Sequence, residues 1–222
     1  MINQKEAFLS HEADAWFFRN IEYIQKYDPK NDHVISLIKK YNLKPNSVLE
    51  IGCSGGYRLN SLKESFPNSK FFGLDPSSEA KKYCNTNFPL INFKNGTADD
   101  LSHLGSETID LLIVGFVFYV IDRNILFKVI SEIDRVLKNN GELIILDFFS
   151  EIPTKNKYSH ISEIEAFSYK QNYDEIFTSS KLYCKIDKST SSLIDKKLNS
   201  TNKYFDNVSV SLLKKNYQSC YK

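Results

Sequence analysis

The chemistry in this chain concentrates on one acid followed by a run of small residues, Glu50-Ile51-Gly52-Cys53-Ser54-Gly55-Gly56. Glycine adopts backbone conformations closed to other residues, so a turn of this composition lets a ligand approach bare main chain. A helical pattern begins at once, with Leu59, Leu62 and Phe66 on one face. The free N–H groups at such a helix start favour anions and polar ligand groups. Glu50 argues against a purely phosphate-binding turn and for a ligand with a cationic end. The Walker spacing fails, because Tyr57-Arg58 follows Gly56. The dinucleotide pattern of three spaced glycines fails at two places, which Ser54 and Tyr57 occupy. Asp75, 19 residues after Gly56, stands where an acid can accept hydrogen bonds from two ribose hydroxyls. The alternative is an ordinary helix-start aspartate, since Pro76-Ser77-Ser78-Glu79 opens the next helical pattern.

These residues need a frame, and the pattern supplies one. Apolar runs at 48–51, 70–75, 89–94, 110–115 and 142–147 read as strands. Helical periods separate most of them, and strand–helix alternation argues a parallel sheet. The run at 110–115 is bounded by turn signals and continues into Phe116-Val117-Phe118, as a strand buried on both faces would. A helix is expected over 123–138, with Asp122 as N-cap and Gly141 closing the far end. Serine limits positive φ, so Gly55 is expected to take the strained conformation in the glycine turn. All eight glycines lie between 52 and 141, which marks a change of composition near 150.

The run Glu50-x-Gly52-x-Ser54-x-Gly56 resembles the first motif of class I S-adenosylmethionine-dependent methyltransferases, with Ser54 where that family usually has glycine. The resemblance covers about 48–149. It implies an α/β, Rossmann-like doubly wound sheet of about seven strands, mostly parallel with an antiparallel C-terminal strand, plus an N-terminal helical cap. Residues 1–222 then form a single methyltransferase domain: a cap at 1–47, a cofactor-binding core at 48–149, a substrate-side insertion at 150–180 and a C-terminal strand pair at 181–222. The insertion is expected to be partly helical around 162–167. The implied cofactor is S-adenosyl-L-methionine, held by Glu50, Gly52, Cys53, Ser54, Gly56, Asp75, Pro76 and Gly115. By the same resemblance Ala98 and Asp99, with Thr97 adjacent, would hold adenine; a solvated acidic loop is the alternative. In many members a helical N-terminal piece crosses the cofactor mouth. Trp16, the sole tryptophan, could therefore pack on a ligand or anchor the helix to the sheet.

Methyl transfer is an in-line displacement whose rate depends on alignment. A hydroxyl or ammonium acceptor also needs its proton removed. His11, His103, His160, Tyr119, Tyr158 and Asp122 are candidates for that task, and His160 with Tyr119 are the preferred pair. Trp16, Arg19, Tyr158 and Tyr169 are expected to bind substrate. The run Tyr158-Ser159-His160, with Phe167 to Asp174 beyond it, is loosely similar to methylases of nonulosonic-acid surface-sugar pathways. The expected reaction is methyl transfer to a hydroxyl or amine of a small polar metabolite such as a sugar or sugar nucleotide. The alternatives are a non-catalytic cofactor-binding or protein-interaction member and, disfavoured by glycine spacing, a nicotinamide-dependent oxidoreductase. Nucleic-acid methylases resemble one another in an Asn/Asp-Pro-Pro-aromatic turn or a Pro-Cys nucleophile. Here the corresponding place reads Gly115-Phe116-Val117-Phe118.

Composition bounds the rest. A length of 222 residues, 41% apolar and 25% charged, suits a globular protein. No apolar run approaches the ~18 residues that a membrane span needs. The first residues, Met-Ile-Asn-Gln-Lys-Glu, carry no export signal. Cysteines at 53, 84, 184 and 220 show neither paired nor zinc-like spacing, so reduced thiols, no metal and a cytoplasmic location are expected. Net charge is +2, with nine lysines against three aspartates from Lys181 onward. Those lysines are read as solvent-facing residues that blunt a sheet edge. No arginine-rich stripe tracks a phosphate backbone, so the expected partner is a small molecule, with no nucleic acid and no membrane insertion, in a monomer or homodimer.

Overall fold

A computed structural model describes residues 3–162, 164–192 and 207–216. The chain opens with α1 (Gln4–His11), α2 (Ala13–Gln25) and α3 (His33–Lys40). β1 (Ser47–Ile51), α4 (Tyr57–Ser65), β2 (Lys70–Asp75), α5 (Ser78–Asn87), β3 (Asn92–Asn95) and β4 (Ile109–Gly115) follow. Then come α6 (Leu126–Val136), β5 (Leu137–Phe148), the hairpin β6 (Thr154–Lys157) and β7 (Phe167–Lys170), α7 (Asp174–Thr178), β8 (Tyr183–Ser192) and β9 (Asn207–Lys215).

Seven strands form one sheet in the order β3-β2-β1-β4-β5-β9-β8. The first five run parallel, and β9 lies antiparallel between β5 and β8. The order reverses direction between β1 and β4, and the crevice outside the carboxyl ends of strands at such a point is where open α/β sheets bind ligands. Successive residues of the central strands pack on opposite faces. Leu49, Ile51, Leu112, Val114, Leu143 and Ile145 meet α6 through Val129, Ile133 and Val136. Val48, Leu111, Ile113 and Ile144 face the other way, onto α3 and α4. Both faces are therefore dry, which explains the unbroken apolar runs. Truncating one of these side chains to alanine would cost about 2–5 kcal/mol.

Several local expectations change. α6 starts at Leu126, after a 3-10 turn at Arg123–Ile125 that Asp122 caps through the Asn124 N–H. It ends at Val136, and the chain turns straight into β5, so Gly141 does not close the helix; Asn140 takes the left-handed conformation (φ 64). Gly141 is small for a different reason: a Cβ there would meet the Asp110 carbonyl oxygen at 3.0 Å. β3 begins at Asn92 rather than at 89, because Ile91 turns inward as a buried anchor. In the post-sheet segment Phe167 begins a strand, and the described residues of 162–166 carry no helix; residue 163 lies outside the described residues. Lys215, read as a solvent-facing lysine, is 1% exposed and donates to the Asp134 and Leu137 carbonyl oxygens. Cys53 and Cys84 are buried thiols, and Cys220 lies outside the described residues. Among the described residues no helix is long and apolar enough to cross a membrane.

Candidate active site

The carboxyl ends of β1, β2 and β4 open into a cavity of about 520 Å³. Its floor is the turn after β1. Gly52 (φ 77), Ser54 (φ 46) and Gly56 (φ 80) all take the left-handed conformation, so Ser54 carries the strain expected of Gly55. Gly52 is obligatory for space as well as conformation: an added Cβ would lie 2.6 Å from the Gly115 carbonyl oxygen. The turn is pinned from β2, because Asp75 Oδ2 accepts from the Ser54 N–H at 2.9 Å and Oδ1 from the Ser77 N–H at 2.9 Å. Each carboxylate oxygen can accept further bonds, so Asp75 still offers capacity to the cavity it lines. Desolvation pushes its carboxyl up to about 6.

Glu50 lies below this floor, 1% exposed, and does not line the cavity. Arg58, the second residue of α4, bonds Glu50 Oε1 through Nη1 and Asp32 Oδ2 through Nε at 2.8 Å. The negative charge expected to face a cationic ligand is thus already answered by Arg58. Burial nevertheless pushes Glu50 up to about 7, against the pull of that guanidinium. Among the described residues two polar atoms here stay buried without a protein partner: Ser54 Oγ in this floor and Glu50 Oε2 beneath it. An unpartnered buried oxygen is costly, and of the two only Ser54 belongs to the cavity lining.

The remaining wall gathers most of the predicted cofactor set. Pro76, Thr97, Ala98, Asp99 and Gly115 all line the cavity. Asp99 accepts from Lys5 Nζ at 2.8 Å and Lys128 Nζ at 3.4 Å. Burial acts to raise its carboxyl, but the Lys5 and Thr97 hydrogen bonds outweigh it and hold the group below the usual range. Cys53 and Gly56 turn away: Cys53 Sγ packs where a Gly73 side chain would stand, and Gly56 sits on Cys84. Phe116 leaves β4 in the left-handed conformation (φ 53), an unusual state for a bulky residue, and lines the cavity.

α1 and α2 form the roof. Asp14 accepts from Ser77 Oγ at 2.7 Å and the Glu79 N–H at 3.1 Å, docking α2 on the start of α5. Trp16 does both jobs open to it: it packs on the Phe17, Ile24 and Ala80 cluster and lines the cavity. Tyr119 and Tyr158 also line it, their rings 6.5 Å apart, and the Tyr158 hydroxyl donates to Glu12 Oε1 at 2.5 Å. Arg19 closes on the same carboxylate. Asp122 reaches the main cavity, whereas Arg19 and His160 line only an adjoining hollow. Tyr169 lines neither; Arg123 lies over its ring at 4.2 Å. His11 and His103 are exposed away from both. Among the described residues no group of three or more His, Cys, Asp or Glu side chains could hold a metal ion.

Sequence reasoning missed Lys5, Glu12, Asp32 and Arg58. Arg58 carried a usable signal, eight residues beyond Glu50 and just past the turn. Glu12 carried none, because its partners lie 7 and 146 residues away.

Residues 49–145 match a family model described as a methyltransferase domain. A tRNA N(3)-methylcytidine methyltransferase of Schizosaccharomyces pombe is 32% identical over 111 residues, 47% of this chain and 45% of the relative. A ubiquinone/menaquinone biosynthesis C-methyltransferase of Campylobacter jejuni is 31% identical over 121 residues, 52% and 48% respectively. The chain thus spans about half the length of these curated relatives. The fold matches that of a Burkholderia thailandensis 1,6-didemethyltoxoflavin-N1-methyltransferase, solved with 1,6-didemethyltoxoflavin and S-adenosylhomocysteine bound. The TM-score is 0.71 at 11% identity, covering 97% of this chain and 91% of that one. The strand order, the glycine turn and the matched stretch agree: residues 49–145 match a methyltransferase domain, on a sheet with the fold of that solved methyltransferase.

Proposed function

We propose that this protein transfers a methyl group from S-adenosylmethionine to a hydroxyl or amine of a small polar metabolite, with a sugar or sugar nucleotide as the favoured acceptor. One observation carries the reading. A left-handed glycine turn, the Asp75 carboxylate and the Ala98-Asp99 loop converge on a single cavity at the switch point of the sheet. The unpartnered Ser54 Oγ in its floor fits a ligand end rich in donors.

S-adenosylmethionine, when bound, supplies the methyl group and a positively charged leaving group. The chain's own residues do the rest. Asp75 accepts from ribose hydroxyls, Asp99 from the adenine amine, and the main chain of Gly52 and Ser54 borders the amino-acid end. Trp16 and the roof helices hold the acceptor in line and keep water out. Tyr119 meets the acceptor, and Tyr158 with Glu12 draws its proton away. His160, on the outer hollow, is a second base within the acceptor region.

The named acceptors of the relatives range from tRNA cytidine to 1,6-didemethyltoxoflavin, so they do not choose one for this chain. The bland net charge of +2 and the lack of an arginine stripe favour a small molecule over nucleic acid. Labelled S-adenosylmethionine incubated with the protein and the small-molecule fraction of a cell extract should label a metabolite. Tight cofactor binding with no transfer to any fraction would favour the non-catalytic reading.

A further inference from the structure

A second hollow of about 440 Å³ adjoins the cofactor cavity and shares a wall with it: Trp16, Asn20, Tyr119, Phe148 and Tyr158 line both. The residues of the outer hollow alone differ sharply in character. Arg19, Lys157, His160 and Lys170 line it, with Ser159 and Ser168 between them, and among the described residues no carboxylate does. Glu12 is 4% exposed behind the wall and spends its oxygens on Arg19 and the Tyr158 hydroxyl. Lys157 and His160 are exposed on and just beyond the β6 strand, and Lys170 Nζ rides over the Phe148 ring at 4.9 Å. Among the described residues the hollow therefore combines flat aromatic walls with a cationic rim.

Such a combination recognises a particular chemistry. Aromatic faces take a planar ring or the apolar face of a sugar. Converging ammonium and guanidinium groups take a carboxylate or a phosphate, with Arg19 able to present donors beyond those it gives Glu12. A group seated at the shared wall, beside Tyr119, would leave the remainder of its molecule in this hollow.

We infer that the outer hollow is the acceptor subsite and that the acceptor is an anionic, ring-bearing small molecule, its carboxylate or phosphate held by Arg19 and Lys157. The inference rests on the methyltransferase reading for the role of the site, but its charge preference can be measured without cofactor. Trp16, the sole tryptophan, lines both spaces and reports occupancy by its emission.

The test titrates matched probe pairs against Trp16 fluorescence: benzoate against benzamide, and phenyl phosphate against phenol. The expected result is at least tenfold tighter binding of one anion over its neutral partner, and the better pair says whether carboxylate or phosphate is preferred. Lys157→Glu, at an exposed position clear of the Glu12 pair, should cut that preference below threefold, and Arg19→Gln with Lys157→Gln should abolish it. S-adenosylhomocysteine affinity, measured in parallel by calorimetry, should stay within twofold in Lys157→Glu. Equal binding of anion and neutral, or a preference that survives Lys157→Glu, would overturn the subsite with cofactor binding intact. Failure of S-adenosylhomocysteine to bind the wild-type protein would instead overturn the methyltransferase reading and the acceptor role with it.

Discussion

The two sides of the site are built by opposite means. On the cofactor side, main chain does the work: three left-handed turn residues at alternate positions, N–H groups pinned by Asp75, and a glycine forced by the approach of β1 to β4. On the proposed acceptor side, side chains do it: Trp16, Arg19, Tyr119, Tyr158 and Lys170 come from four separate stretches of chain and line one hollow only in the folded protein. A site made of backbone tolerates little change in residue type, whereas a site made of side chains can change its ligand while the fold stays put. The contrast predicts that mutations on the first side harm stability and cofactor binding, and those on the second harm turnover and acceptor choice.

The harshest way to probe the backbone side is Gly52→Ala. The new methyl group would strike the Gly115 carbonyl oxygen and Val117 from a residue at φ 77. A loss of about 2–3 kcal/mol is expected in urea-unfolding midpoints; an unchanged midpoint would show that the turn relaxes freely. Asp75→Ala should leave the fold in place and weaken S-adenosylhomocysteine binding by about 1.5–3 kcal/mol, the scale of charge-assisted hydrogen bonds. Asp75 serves best as an acceptor when ionised, and its carboxyl sits at about 6. Affinity should therefore be flat above neutral pH and fall as pH drops through 6, by about tenfold at pH 5. In Asp75→Asn that slope should vanish, and a slope that persists would assign it to another group.

The smallest effect is expected on the acceptor side. Tyr158→Phe removes the hydroxyl that donates to Glu12 but leaves Arg19 on that carboxylate. Transfer should slow by roughly three- to tenfold, about 1 kcal/mol, with cofactor affinity little changed. Equal losses in both quantities would merge the two sides into one.

This division also explains what could be read from the residues alone. The switch-point sheet, the turn at 52–56 and Asp75 were legible because glycine spacing, strand period and an acid at a strand end each answer to a local backbone demand. Gly55 and Ser54 exchanged roles because serine's penalty for positive φ is modest where Asp75 grips its N–H. Glu50 looked like a ligand-facing charge until Arg58 was found beneath it, and the long-range pairing of Glu12 with Tyr158 left no periodic trace. Lys215 was misplaced because a lysine on a strand reads as a solvent residue, whereas here its ammonium satisfies the carbonyls where α6 gives way to β5.

The most direct measurement is a calorimetric titration of wild-type protein and Asp75→Ala with S-adenosylhomocysteine at pH 7.5. A crevice at the ends of β1, β2 and β4 built for this ligand predicts saturable one-to-one binding by the wild type and at least tenfold weaker binding by the variant. Absence of binding to the folded wild-type protein, or equal affinity in both, would contradict it.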